Sequence, residues 1–156
     1  MLTKKDLETW NILSEIEYGY YYDEHYGVGE GDIKFLLSAI GSEPKNILEV
    51  GCGSGRIFLP LAEAGHNMTG FDAHYGMLSR LRHKAKGLTN VKYYSADALK
   101  HEWEKGFDMV LVAFNIIQNI EYIENDNPAN EIADYKAAQN LFTSKAAAVH
   151  MISRHD

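Results

Sequence analysis

The chain is predicted to be an α/β protein, a three-layer α/β/α sandwich built on a mostly parallel sheet of about five strands. Three observations carry that expectation. Short apolar runs alternate with segments of helical spacing, a glycine-rich turn "GCGSG" follows the first run, and the acids Asp72 and Asp97 close the next two. Alternating strands and helices imply right-handed crossovers and a parallel sheet covered on both faces. Such sheets bind ligands beyond the carboxyl ends of their strands, where strand order reverses, and the glycine turn falls at such an end.

Each element has its own signal. Leu7, Trp10, Leu13 and Ile16 recur every three residues, with Thr3 and Asp6 as a capping pair, which predicts an opening amphipathic helix. A tyrosine-dense stretch, "YGYYYDEHYG", follows it. "GDIKFLLSAIG" predicts a helix capped by Asp32 and closed by Gly41. After Pro44, "NILEV" suits a strand buried on both faces. "RIFLPLAEAG" has helical spacing and ends at Gly65, with Pro60 tolerable only near the first turn or at a kink. Next come a strand "NMTGFD", a helix "GMLSRLRHKAKG", a strand "NVKYYSAD" and the most apolar strand, "FDMVLVAF". A polar acidic loop, "IENDNPANE", leads to a helix "NEIADYKAAQNLFTSKA" and a fifth strand "AAVHMIS".

The 156 residues predict a single domain over 1–156, with 1–43 as a helical, tyrosine-rich lid segment and 44–156 as the core. Hydrophobic residues at 46% and charged residues at 24% are ordinary for a soluble globular chain. A formal charge of −7 argues against a broad nucleic-acid surface, which needs Lys and Arg in excess. The local run Arg80-Leu81-Arg82-His83-Lys84-Ala85-Lys86 reads as the solvated face of a helix. Cys52 stands alone, and "MLTKKDLETW" lacks the apolar block of a signal peptide, so a reducing, cytoplasmic setting is expected. No apolar run is long enough to predict a membrane partner. None of the seven histidines has zinc-site spacing, and no metal is expected.

The glycines are Gly51, Gly53 and Gly55. A dinucleotide fingerprint would place a third glycine where Arg56 stands, and the Gly-Lys-Ser/Thr ending of a phosphate loop is absent. Glu49 would repel a phosphate and attract an ammonium. Seventeen residues past Gly55, Asp72 closes the second strand, where a carboxylate can accept both hydroxyls of an unphosphorylated ribose. Asp97, after the third strand, could accept from an exocyclic amine. Together these suit a nucleoside that bears an amine and no phosphate.

Here the sequence resembles the class I (Rossmann-like) S-adenosylmethionine-dependent methyltransferases, from about Tyr22 to Asn119. "LEVGCGSGR", "GHNMTGFDAHYGML", "VKYYSADAL" and "FDMVLVAFN" resemble the family's first four motifs in order and spacing, and "YDEHY" resembles an N-terminal element of small-molecule members. The resemblance implies S-adenosylmethionine as cofactor and S-adenosylhomocysteine as product. It implies that the backbone from Gly51 through Cys52 to Gly53 borders the methionine portion, and that Glu49 organises that loop and the amine. Asp72 would hold the ribose, Ala73 and Met77 would pack near the adenine, and Asp97 and the Ala98 backbone would meet its edge. Phe114 and Asn115 would face the reacting methyl, and Tyr26, or else Arg56, would take the cofactor carboxylate. For catalysis only His25, Tyr26 and Asn115 offer themselves, and none is assigned as base.

Plainer readings stand beside these. Gly51 and Gly55 could serve only a tight turn, Asp72 and Asp97 could be helix caps, Met77 could be core and Cys52 a small filler. Of the five tyrosines between positions 18 and 26, Tyr26 and at least one of Tyr20, Tyr21 and Tyr22 are expected to line the site, and the rest to pack. "NIIQN" departs from the Asn-Pro-Pro-aromatic motif of amine-methylating relatives, which argues against nucleobase or glutamine-amide methylation of that type. Members of the family usually carry two further strands, so the fifth strand here is expected to be an open edge through which copies could associate. The expected function is methyl transfer to an acceptor, most simply a small molecule. The alternatives are a non-catalytic cofactor-binding or assembly module and an enzyme that cleaves the cofactor.

Overall fold

A computed structural model describes residues 4–26, 30–98, 100–102, 104–113 and 147–151. Five parallel strands form one sheet: β1 (Asn46–Val50), β2 (Asn67–Asp72), β3 (Val91–Ser95), β4 (Met109–Ala113) and β5 (Ala147–Met151). Their order is β3-β2-β1-β4-β5, so the direction of strand addition reverses between β1 and β4. The glycine turn leaves β1 at that reversal. The four described helices are α1 (Lys4–His25), α2 (Glu30–Ile40), α3 (Phe58–Glu63) and α4 (Tyr75–Lys84).

Strand alternation sorts the core into two faces. Ile47, Met68, Met109 and Leu111 lie on one, packed with Leu36 and Ile40 of α2, Phe58 and Leu61 of α3, and Leu78 and Leu81 of α4. Leu48, Val50, Phe71, Val110 and Val112 lie on the other, with Tyr94, Ala96, Ala98 and Phe107 against them. Every residue of β4 is buried, which is why its sequence is a continuous apolar run. Burying each of these large side chains contributes about 1.5–3 kcal/mol. The helix expected over "NEIADYKAAQNLFTSKA" lies outside the described residues.

Strands β1 and β2 have the expected bounds. Pro60 falls in the first turn of α3, where its missing N–H leaves no bond unmade. Gly41 closes α2 with φ 83° and donates its N–H to Leu37 O. Three expectations need correction. Helix α2 begins at Glu30, so Asp32 lies in its first turn and is not its cap. The tyrosine stretch is no separate segment, because α1 runs on through it to His25. The basic run of α4 is not wholly solvated either. Arg80, partly buried, and Lys84, still exposed, both reach Asp23, at 2.8 and 2.9 Å, while Arg82, His83 and Lys86 are exposed.

The reason α1 continues is its contact with α4. A Cβ at Gly76 would sit 1.7 Å from Glu15 O, and one at Gly19 would sit 2.7 Å from Gly76 O. Two glycines let the helix backbones touch. A glycine inside a helix costs roughly 0.5–1 kcal/mol relative to alanine, and here close packing offsets that cost.

Candidate functional site

The turn after β1 needs its glycines for conformation and for room. Gly51 and Gly53 have φ 69° and 53°, a left-handed region unfavourable to residues with a Cβ. Gly55 also has a positive φ, and a Cβ there would lie 2.6 Å from Leu81 Cδ1, so it lets the loop press onto α4. Gly51 and Cys52 donate their N–H groups to Phe71 O at 2.9 and 3.1 Å, which sews the turn to the end of β2. Cys52 itself is buried against Gly70, and burial pushes its thiol well above the ordinary range, with Glu49 and Asp72 adding to the effect. Burial and a raised pKa both disfavour its thiolate form.

Asp72 does more than close a strand. Its Oδ2 accepts from Gly53 N at 2.9 Å and its Oδ1 from His74 N at 2.7 Å. The carboxylate therefore clasps the glycine loop to the start of α4 while remaining partly exposed. The cap of α4 is His74, whose side chain accepts from Met77 N at 3.4 Å. Met77 is buried, and a Cβ on Gly53 would lie 3.1 Å from its Cε, so it borders the loop; Ala73 is exposed at the rim.

Glu49 is the least ordinary residue of the site. It is only 3% exposed, and its Oε2 has no hydrogen-bond partner. Burial raises its carboxyl well above the ordinary range; Arg56 works against that shift and Asp72 adds to it. An unpaired buried carboxyl costs stability, so this one calls for a cationic or hydrogen-bonding ligand group. Arg56 is half-buried, with its pKa lowered by desolvation and supported by Tyr22, Asp32 and Glu49.

The last turns of α1 stand over this loop. Tyr22 is partly buried, and burial raises its phenol pKa; Arg56 opposes the shift, while Tyr18, Tyr26 and Asp72 reinforce it. Tyr26 stacks on Tyr22 at 4.9 Å, and Tyr18 lies 5.0 Å from the His74 ring. Tyr20 and Tyr21 turn elsewhere. Tyr20 lies beneath Arg80, whose guanidinium carbon is 4.0 Å from the ring centre, and Tyr21 stacks on His25 at 3.9 Å. His25 Nδ1 lies 2.8 Å from Tyr21 O, so the ring is held on its own helix.

The predicted residues thus fall into three groups. Glu49, Gly51, Cys52, Gly53, Arg56, Asp72, Met77 and, through Tyr22, Tyr26 come together at the end of β1, with Ala73 at the rim. Asp97 and Ala98 follow β3, where Asp97 Oδ2 forms an ion pair of 2.9 Å with Lys100 and Asp97 O accepts from Lys100 N and His101 N. Phe114 and Asn115 lie outside the described residues. Sequence reasoning did not single out Asp23, Gly19, Gly76 or His74. The roles of Asp23, Gly19 and Gly76 rest on contacts between α1 and α4 that no local pattern announces, whereas His74 caps α4 locally.

Among the described residues no three His, Cys, Asp or Glu side chains converge as a metal site, and no helix is long and apolar enough to cross a membrane. The class is set by the parallel sheet with its glycine turn at the strand-order reversal: an α/β, Rossmann-like ligand-binding fold. Residues 47–135 match the family described as "Methyltransferase domain", and the chain belongs to that family. Over 88 residues it is 31% identical to the 23S rRNA (uracil(1939)-C(5))-methyltransferase RlmD of Xanthomonas campestris pv. campestris (strain 8004), covering 51% of this chain and 20% of that protein. Over 81 residues it is 37% identical to the ubiquinone biosynthesis O-methyltransferase of Hydrogenovibrio crunogenus (strain DSM 25203 / XCL-2), covering 50% and 34%. The matched parts are thus a fifth and a third of those relatives. In fold it is similar to the glycopeptide N-methyltransferase MtfA, with TM-score 0.61, 16% identity and coverage of 81% of this chain and 54% of that one. It is also similar to the CcbJ methyltransferase from Streptomyces caelestis, with TM-score 0.58, 24% identity and coverage of 80% and 49%.

Proposed function

We propose that the chain binds S-adenosylmethionine at the end of β1 and serves methyl transfer to a small-molecule acceptor. The observation that carries this reading is the buried Glu49 carboxyl, whose unpartnered Oε2 stands beside a loop bare enough to admit a ligand. Bound there, the cofactor supplies a methyl group already activated on a sulfonium. Glu49 takes its ammonium and is discharged by it. Asp72, whose oxygens each retain acceptor capacity beyond the bonds to Gly53 and His74, accepts the ribose hydroxyls. Ala73, Met77, Asp97 and Ala98 receive the adenine, and Tyr26 or Arg56 the carboxylate.

Methyl transfer from a sulfonium is an in-line displacement, so alignment and exclusion of water are the main demands on the protein. The Tyr22–Tyr26 stack supplies a wall that sheds water, and an aromatic face attracts a cation. A base is needed only for an acceptor that must lose a proton, and His25, Tyr26 and Asn115 keep that candidacy. The acidic chain, at −7, favours a small acceptor over a nucleic acid. The orphaned carboxyl equally supports a module that only binds the cofactor, since nothing in its chemistry requires turnover.

Calorimetry with S-adenosylmethionine, S-adenosylhomocysteine and NAD tests the reading. Binding of the first two and not the third is expected; binding of NAD alone overturns it. Product assays with and without acceptors then separate transferase, binding module and cofactor cleavage.

A further inference from the structure

We propose that Asp23 is a positioning residue: by joining α1 to Arg80 and Lys84 of α4, it sets the Tyr22–Tyr26 wall over the glycine loop and so tunes the affinity of a site that it does not line. The inference rests on the cofactor reading above.

Two adjacent stripes of α1 do different work. Gly19 and Asp23, four apart, grip α4: Gly19 lies on the Gly76 backbone, and Asp23 meets Arg80 Nε at 2.8 Å and Lys84 Nζ at 2.9 Å. Tyr18, Tyr22 and Tyr26, also four apart, form the neighbouring stripe that faces His74 and the loop. The contacts advance together along both helices, so the grip and the wall are parts of one rigid turn. Lifting the grip must move the wall.

The clasp is not an ordinary surface ion pair. The side chains of Asp23 and Arg80 are only 16% and 19% exposed, so losing Asp23 strands a partly shielded guanidinium, while Lys84, more exposed, is the weaker arm. Arg80 is held a second time by Tyr20 beneath it. Burial works against the Asp23 carboxylate, yet Ser54, Lys84 and Arg80 outweigh it and hold its pKa below the ordinary value. Ser54 belongs to the glycine loop; its buried hydroxyl makes no hydrogen bond of ordinary geometry, but it lies near enough to Asp23 to contribute. The clasp therefore bears on α4 and, through α1, on the wall.

Asp23→Asn keeps the shape and an acceptor oxygen and removes the charge. By calorimetry, its affinity for S-adenosylhomocysteine should fall about tenfold, a change of the size usual when one site is coupled to another. Hydrogen exchange over residues 17–26 should quicken while β1 and β4 keep their protection. Lys84→Gln, which removes one arm only, should cost about threefold and decides the matter if Asp23→Asn does not fold. Equal affinity in the variants, or a drop in thermal stability with affinity unchanged, overturns the inference and leaves the cofactor reading intact. Failure of the unsubstituted protein to bind overturns both.

Discussion

The two ends of the sheet treat their polar groups in opposite ways. At the amino-terminal end, side chains complete the backbone. Asp108 Oδ2 accepts from Asn46 N at 2.8 Å, Asn67 Nδ2 donates to Asn46 Oδ1, and Asn90 Nδ2 donates to both Ala62 O and His66 O. At the carboxyl end, Glu49 is buried with an oxygen unpaired, and three glycines at positive φ shape the turn beside it. One end is closed by its own side chains apart from His66, and the other keeps a buried carboxyl oxygen without a partner. The side chains that close the strand starts lie at one end of the sheet, and the residues proposed to meet a ligand lie at the other.

This contrast can be broken or sharpened. The largest effect is expected from Gly76→Ala. No Cβ fits 1.7 Å from Glu15 O, so the variant should lose about 3 kcal/mol in denaturant unfolding or shed α1, while the amino-terminal end keeps its hydrogen-exchange protection. Next is Asp72→Ala, which removes a charged acceptor from the loop as well as from the ribose. S-adenosylhomocysteine affinity should drop by about 1.5–3 kcal/mol by calorimetry, and unchanged affinity would remove the ribose assignment.

Glu49→Gln should separate the two ends most sharply, because its effects on binding and on stability have opposite signs. Burial raises the folded-state pKa of Glu49, so its contribution to stability is full below its ordinary value and is lost as pH rises through the folded one. Without ligand, the Glu49→Gln variant should therefore melt no lower than its parent near neutrality, yet bind S-adenosylhomocysteine more weakly. A variant that melts well below its parent contradicts the unpaired-charge account.

The smallest effect belongs to His66, an unpartnered group at the sealed end. Its buried Nδ1 has no partner, and desolvation, aided by Lys45, lowers its pKa. The sign is reversed relative to Glu49: stability is full above the unfolded pKa and is lost as pH falls through the lower folded value. His66→Gln should flatten the melting temperature between about pH 5 and 7, the range set by an ordinary histidine pKa of about 6.5. Ligand affinity should not change with it.

Much of the fold could be read in advance. "NILEV" and "NMTGFD" became β1 and β2 because a buried parallel strand shows itself as a short apolar run between turn residues. Gly51, Gly53 and Asp72 could be read for a similar reason: a left-handed turn and a strand-ending acid are local facts. The length of α1 could not. The four-residue spacing of Tyr18, Tyr22 and Tyr26 is hidden by Tyr20 and Tyr21 between them, and what holds the helix is α4, 57 positions away at the Asp23–Arg80 contact. The basic run of α4 misled for the same reason, since whether Arg80 and Lys84 are solvated depends on what packs beside them.

By itself, then, the sequence determined the alternation of strands and helices, the place of the glycine turn and the acid that ends β2, because backbone conformation and burial periodicity are written within a few residues. Only the tertiary structure decided that Asp72 ties down the loop, that Glu49 Oε2 is buried without a hydrogen-bond partner, and which tyrosines face them. Those outcomes depend on desolvation and on contacts between distant segments. Neither exists until the chain has closed.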